Sequence, residues 1–296
     1  MKYRVRHTTT YSYQAPASLC HNIAYLIPRN YALQKVEDFS YEIKPETSFL
    51  VKRKDFFDNS YLYFSIEKTH KELVVDAFST VDTVQPGWVN ADPMQTPAWE
   101  EVRDWLRSAA ALNDTKQYYL ESDFVPILTL AEHYALESFT PGRPIFDAMK
   151  DLTARINQDF IFTPGFTDIS TPVAEFFKHK KGVCQDYAHF ALACLRSIGL
   201  AATYMSGYIE TLPPPGKPKL VGSDASHAWV ALFIPDLGWV EFDPTNNLVV
   251  DDQHLRVAVG RDFGDVTPLK GIVYSIGKQV LKVSVDVRKV EEMVES

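Results

Sequence analysis

The sequence predicts an α+β fold, in which a β-rich N-terminal domain precedes a core of helices followed by strands. Apolar and polar side chains alternate in short runs from residue 1 to about residue 85, which is typical of half-buried strands. From about residue 96 to residue 198 the apolar residues instead recur at helical spacing, and strand-like runs return after residue 202. This change of period along the chain indicates at least two structural parts.

The N-terminal part is expected to form a small antiparallel sheet or sandwich. Runs such as 2–7 and 61–66 alternate, and Asp58-Asn59-Ser60 between apolar runs predicts a hairpin turn. A stretch rich in Pro, Gly, Asn and Asp follows at 85–96 and is the best candidate boundary. We therefore divide the chain into an N-terminal β-rich domain, a core with a helical lead-in and a C-terminal strand-like extension, at residues 1–88, 89–270 and 271–296.

Five helices and three strands are predicted in the core. Helix starts are expected at Thr96-Pro97 and at Ser122, where a capping residue precedes helical spacing. The other predicted helices cover 145–157, 173–178 and 184–198. The predicted strands are 202–209, 227–234 and 239–243, and the Pro/Gly segment 213–218 between the first two is expected to be a mobile loop.

Composition excludes several classes of function. The chain of 296 residues carries a net charge of −8 and 46% hydrophobic residues, without a long basic run, so we expect no nucleic-acid partner and no anionic membrane partner. No segment has the apolar length of a membrane helix or the pattern of a signal peptide. The three cysteines are widely spaced and odd in number, which does not suggest a disulfide framework, so we expect a cytoplasmic protein. The oligomeric state is left open.

Cys184 is the first candidate for chemistry. It lies at the predicted start of a helix, where unpaired backbone N–H groups and the helix dipole favour the thiolate, the nucleophilic form of cysteine. Gly182, two residues earlier, permits a close approach of the backbone. Cys20 and Cys194 lack this setting, and we interpret both as packing residues.

His227 and Asp243 complete a possible catalytic set. A thiol needs a base that takes its proton and later returns it, and a carboxylate can hold that imidazole in one tautomer. His227 begins a strand and Asp243 ends the next one. A plain hairpin pairing Ile234 with Trp239 would however set Asp243 opposite Val230, three positions from His227 and on the other face. We therefore predict a bulge or an altered register.

The order of these residues resembles that of the bacterial transglutaminase-like superfamily. The similarity lies in four motifs, GVCQDYAH at 182–189, YMSGY at 204–208, ASHAWV at 225–230 and GWVEFDPTN at 238–246. The segments YSY at 11–13, YLIPR at 25–29 and GRDFGDVTPLKG at 260–271 resemble the parts that flank this core, although Asp58 stands where a glycine is expected.

The resemblance implies a papain-like core, with a nucleophile helix on an antiparallel sheet, and assigns the roles of nucleophile, base and orienting carboxylate to Cys184, His227 and Asp243. It implies an acyl-transfer enzyme acting on a peptide or protein amide through a thioester. Members of the superfamily include transglutaminases and peptidases, and some have lost the triad. We expect hydrolysis by a cysteine protease slightly more than transamidation, because water needs no second binding site. A non-catalytic peptide-binding module is the alternative.

The remaining polar side chains of these motifs have simpler interpretations. His189 and Asp186 could suggest a metal site, but no second ligand pair has a zinc spacing, so we predict no metal. Tyr187 and Trp229 fit packing better than a substrate groove. Glu241 should share a face with the orienting carboxylate. No phosphate-binding glycine loop is found, so we predict no cofactor.

Overall fold

A computed structural model of the protein describes residues 1–108, 111, 113–210 and 226–290. It confirms the α+β fold class, with an N-terminal part made of antiparallel strands and a core that combines helices with an antiparallel sheet. The Pro/Gly segment 213–218 lies outside the described residues. None of the helices described is both long and apolar enough to span a lipid bilayer.

The secondary structure runs as follows. The strands are β1 (Lys2–Ala17), β2 (Leu19–Ala24), β3 (Gln34–Lys44), β4 (Phe49–Lys54), β5 (Ser60–Ile66), β6 (His70–Thr83), β7 (Ile161–Phe162), β8 (Lys181–Gly182), β9 (Ala202–Ile209), β10 (Ser226–Ile234), β11 (Gly238–Asp243), β12 (Leu248–Val249), β13 (His254–Gly260), β14 (Leu269–Tyr274) and β15 (Gln279–Lys289). The α-helices are α1 (Trp99–Arg107), α2 (Asn113–Lys116), α3 (Thr129–Leu136), α4 (Ile145–Asp159), α5 (Val173–His179), α6 (Cys184–Ser197) and α7 (Phe263–Val266).

Two four-stranded antiparallel sheets form the N-terminal part, and the end of the chain joins both. Their strand orders are β15-β1-β6-β3 and β14-β2-β5-β4. One apolar cluster draws residues from both sheets, among them Phe64 of β5 and Val75 of β6. Strands β14 and β15 therefore add an edge strand to each N-terminal sheet, so that residues from the two ends of the chain are neighbours.

The hairpin between β4 and β5 confirms the predicted turn and explains the missing glycine. Asp58 has a φ of 63°, in the left-handed region that glycine adopts most readily. Aspartate is one of the few other residues that visits this region as a single residue. The Asp55 carboxylate also accepts the backbone N–H groups of Phe57 and Asn59 and so holds the turn.

Two predicted helix starts are wrong. Helix α1 begins at residue 99 rather than at Thr96, whose hydroxyl instead accepts the N–H of Phe146 in the first turn of α4. Ser122 and Val125 pair with each other in a short bridge, and α3 begins only at residue 129. Pro126 accounts for the delay, because the residue before a proline is disfavoured in helical conformation.

Helix α6 and a five-stranded antiparallel sheet form the centre of the core. The sheet has the order β12-β11-β10-β9-β13. Every residue of helix α6 from Asp186 to Arg196 is buried. The sheet covers one side of the helix and α3, α4 and α5 pack on the others. Small residues such as Ala188 and Ala191 allow this close packing.

Candidate active site

The N-terminus of α6 holds Cys184 partly exposed at the end of a buried helix. The Asp186 carboxylate accepts the backbone N–H of Val183 at 2.8 Å and the hydroxyl of Thr167 at 2.7 Å, which fixes the first turn. Gly182 is required here, because a Cβ at that position would lie 2.5 Å from the same carboxylate. The N–H groups of Cys184 and Gln185 precede the first intrahelical bond and remain directed beyond the helix end.

The hairpin register brings His227 and Asp243 together. Gly238 pairs with Ile234, and Phe242 pairs with Val230, one residue away from the plain hairpin considered above. Continuing that register by one residue sets Asp243 beside Trp229, two positions from His227 and on the same face of the sheet. Nε2 of His227 lies 2.7 Å from Oδ2 of Asp243. The altered register that we predicted is therefore present, and it results from a tighter turn.

The carboxylate of Asp243 is fully buried and accepts several hydrogen bonds. Oδ1 accepts the backbone N–H groups of Thr245 and Asn246 at 3.0 and 3.1 Å. Oδ2 accepts Nε2 of His227, Nδ2 of Asn246 at 2.7 Å and Nε2 of His254 at 3.1 Å. The turn after β11 thus supplies three of the donors, which hold the carboxylate in one orientation.

The electrostatics of the pair favour its charged form. Burial alone would lower the pKa of His227, but the Asp243 carboxylate, together with the sulfur of Cys184, raises it well above its usual range. Burial would raise the pKa of Asp243, but the positive charge of His227 and the hydrogen bonds from both imidazoles lower it well below its usual range. An imidazolium beside a carboxylate is therefore the favoured state.

A second set of buried polar residues lies on the same face of the sheet. Glu241 accepts the indole N–H of Trp229 at 2.7 Å and pairs with the guanidinium of Arg256 at 2.9 Å. Arg256 in turn donates to the backbone carbonyl of His254 at 2.8 Å. Nδ1 of His254 lies 4.0 Å from Oδ1 of Asp251, which is too long for a hydrogen bond.

His254 and Arg256 were not identified from the sequence. A signal existed, because polar and apolar residues alternate from 254 to 257 and so place both on one face of a strand. Such alternation normally indicates that the polar face is exposed to solvent. Here N-terminal residues cover the polar face, since the guanidinium of Arg256 lies 5.9 Å from the centre of the Tyr31 ring, while Gln34 bonds both backbone groups of Arg256 at the edge of the sheet. Trp229 and Glu241 were predicted as packing and supporting residues, and the structure places them in those roles.

Three buried side chains near the cavity, those of His227, Asp243 and His254, are close enough together to hold a metal ion. The ligand atoms of His227, Asp243 and His254 lie within 4.8 Å of one another. The hydrogen bonds among the same atoms already explain their proximity without an ion. His189 lies elsewhere, with its Nε2 accepting the N–H of Phe263 at 3.2 Å, and burial lowers its pKa to about 4.

A cavity of about 500 Å³ opens at the end of α6 and contains both the thiol of Cys184 and the imidazole of His227. The other two cysteines are fully buried, and burial raises the pKa of Cys20 and of Cys194. Tyr187 is buried against Phe160 and Phe176 and takes no part in the cavity wall, as predicted. Of the three cysteines, only Cys184 therefore combines partial exposure with an adjacent base.

The α+β core places a buried helix on an antiparallel sheet and opens to a cavity that contains a thiol and an imidazole, the two groups that thiol-dependent acyl transfer uses. Residues 3–82 match the bacterial transglutaminase-like N-terminal region, and residues 133–244 match the transglutaminase-like superfamily. The uncharacterized protein Rv2569c of Mycobacterium tuberculosis is 37% identical over 294 residues, which cover 97% of this chain and 92% of that protein. The chain belongs to the transglutaminase-like superfamily.

Two further proteins show how far the similarity extends. A crystal structure described as that of a "Putative Cysteine Protease" from Cytophaga hutchinsonii has a TM-score of 0.77 and 17% identity, with 98% of this chain and 91% of that chain covered. This similarity concerns the fold. A protein-glutamine gamma-glutamyltransferase of Pseudomonas aeruginosa is 34% identical over 89 residues, which are 29% of this chain and 13% of that protein. The match to the transglutaminase-like superfamily supports thiol-dependent acyl transfer in general.

Proposed function

We propose that this protein is a cysteine-dependent enzyme that cleaves an amide bond of a peptide or protein through a thioester on Cys184. The observation that carries the proposal is a row of three side chains, in which Cys184 and His227 line one cavity and Asp243 is buried behind His227. His227 lies 2.7 Å from Asp243, interacts with the Cys184 sulfur and shares the cavity with it. In this proposal Cys184 is the nucleophile, His227 the base and Asp243 the residue that orients it.

The reaction proceeds in two halves. The sulfur of Cys184 attacks the carbonyl carbon after its proton has passed to His227, and the N–H groups of Cys184 and Gln185 stabilise the oxyanion. The C–N bond then breaks and the departing amine takes the proton from His227. Water gives a proton to His227 as it attacks the thioester, and the thiol returns when the acid leaves. An amine in place of water would give transamidation.

Hydrolysis by a cysteine protease is the version we favour, because it needs one binding site beside the thiol. The test incubates the protein with a peptide-amide library, with and without a primary amine, and identifies the products by mass spectrometry. We expect free acids in both mixtures, and a new amide only if transamidation also occurs. The variant Cys184→Ala should form no product, whereas Cys194→Ala, which removes a buried thiol, should retain activity.

The competing function is a peptide-binding module that uses the same cavity without turnover. It would bind library peptides with or without Cys184 and leave them intact. It would also leave the orienting network of Asp243 without a use, and for this reason we prefer the enzyme. A reducing compartment such as the cytoplasm remains our proposal for its location, supported by three free cysteines.

A further inference from the structure

The cavity at Cys184 has a buried floor and an exposed apolar rim. Its floor includes Tyr204, Ser206 and Ala228, all at least 92% buried. Large apolar side chains that are 45% to 52% exposed stand around its mouth, namely Phe162, Ile169, Leu281 and Val283. Exposed apolar side chains that surround a polar reactive group are characteristic of a ligand site.

Within the part of the chain that the structure describes, the only charged group in the cavity wall is the imidazolium of His227, which is already paired with the carboxylate of Asp243. No aspartate, glutamate, lysine or arginine lines it, although the protein as a whole carries a net charge of −8. His7 lines it as a neutral imidazole, because burial lowers its pKa to about 4. Its two nitrogens contact the hydroxyls of Tyr208 and Thr9 at 3.0 and 2.9 Å. Among the described residues, a charged group entering the cavity would lose water and find no lysine, arginine, aspartate or glutamate in the wall to pair with.

One side of the cavity comes from the two ends of the chain. Residues 7, 9 and 11 of β1 alternate into the cavity wall. On the neighbouring strand β15, Leu281 pairs with Tyr11 and Val283 pairs with Thr9, and both also line the wall. The core therefore supplies the thiol and the base, while the N-terminal sheet and its C-terminal edge strand supply the opposite side.

Resting on the function proposed above, we propose that this cavity selects substrates whose side chain next to the scissile amide is apolar, aromatic or branched aliphatic, and that β1 and β15 form the selecting wall. The volume of about 500 Å³ lies within the range of pockets that enclose a small-molecule ligand. Apolar contact with the rim would stabilise such a side chain, while glutamate or lysine would be excluded by the cost of dehydration.

The test measures how fast two electrophilic probes modify Cys184. N-blocked chloromethyl ketones of phenylalanine and of glutamate carry the same reactive group and differ in the side chain. We expect the phenylalanine probe to react at least about tenfold faster, since differences of this order separate side chains in hydrophobic pockets. Iodoacetamide, which carries no side chain, reports the reactivity of the thiol itself.

The matched variants are Leu281→Asp and Val280→Asp, on adjacent residues of β15. Val280 is 67% exposed and is not part of the cavity wall. Leu281→Asp should slow the phenylalanine probe roughly tenfold, because it removes apolar contact and adds a charge to the wall. The iodoacetamide rate of the same variant corrects for any effect of the new charge on the thiol, so the expected result is a lower ratio of the phenylalanine-probe rate to the iodoacetamide rate. Val280→Asp should leave both rates unchanged.

The outcomes separate this inference from the proposed function. If neither ketone nor iodoacetamide modifies Cys184 of the wild type faster than Cys20 and Cys194, the proposal that Cys184 is a catalytic thiol is refuted. Equal rates for the two ketones, or a faster glutamate probe, would refute apolar selection while leaving the catalytic thiol intact. A clear preference for phenylalanine that Leu281→Asp does not change would overturn the assignment of β15 to the wall.

Discussion

The substitution Asp243→Asn tests whether the buried carboxylate of Asp243 orients His227 as proposed. An amide keeps one oxygen, which the backbone N–H groups of Thr245 and Asn246 would attract, as they now attract Oδ1. Its NH₂ group would then face Nε2 of His227, which would have to accept a hydrogen bond. The proton would move to Nδ1, the nitrogen left for the thiol. The imidazole would lose its function as a base although the fold is retained.

The size of the effect follows from the short contact. For unit charges at the 2.7 Å separation of His227 and Asp243, Coulomb's law with an effective dielectric constant of about 20 gives roughly 6 kcal/mol. Since about 1.4 kcal/mol corresponds to a factor of ten in rate, this interaction could account for roughly 10⁴-fold. The other hydrogen-bond donors to the carboxylate also stabilise its charge, which weakens the interaction with His227. We therefore expect the reaction rate to decrease by about 10³-fold to 10⁴-fold.

The assay is the release of p-nitrophenolate from a p-nitrophenyl ester of N-blocked phenylalanine, with the rate of Cys184→Ala subtracted. Asp236→Asn makes the same chemical change at the exposed turn between β10 and β11, where φ is 67° and asparagine is well tolerated. This control should match the wild type. A folded Asp243→Asn protein that retains a rate within about threefold of the wild type would refute the role of the carboxylate, since that change is under about 1 kcal/mol.

Three further predictions concern stability. Arg256→Met leaves the buried carboxylate of Glu241 without its positively charged partner. The free energy of unfolding, measured by urea denaturation, should therefore fall by about 3–5 kcal/mol. An unchanged value would show that the ion pair contributes nothing to stability. Gly182→Ala puts a methyl group 2.5 Å from the Asp186 carboxylate and should cost roughly 1–3 kcal/mol in the same measurement, and equal stability would contradict the close contact. The folded-state pKa of Asp243 is depressed, so its contribution to stability is complete above its unfolded pKa of about 3.9 and is lost as the pH falls below it. Urea titrations between about pH 6 and pH 2 should therefore give a steeper loss for the wild type than for Asp243→Asn, and parallel curves would contradict this.

The elements that carry the proposed catalytic residues could largely be predicted from the sequence. Strand β9 has the predicted bounds, and α6 begins at Cys184 and ends within one residue of the prediction, because periodicity and Gly199 define them. The hairpin register could not be derived, because it depends on one residue of turn length. Asp236 and Gly238 both have positive φ and close a turn shorter than the plain hairpin.

The supporting network was harder to predict, because burial of a polar face depends on another part of the chain. His254 and Arg256 face the same side as Asp243, and Tyr31 of the N-terminal part lies against the guanidinium of Arg256. A sequence read segment by segment places such residues in solvent. The cavity wall on β15 was not predicted for the same reason, since Leu281 is brought to the cavity by strand pairing between residues far apart in the chain.

The central claim is that Cys184 becomes acylated with the help of His227. Mixing the protein with the p-nitrophenyl ester, quenching with acid within milliseconds to seconds and mapping the adduct by mass spectrometry measures this directly. We expect the acyl mass on the peptide that contains Cys184 in the wild type, and its near-complete loss in His227→Ala. An acyl group on any other residue, or equal acylation of Cys184 in both proteins, would contradict the claim.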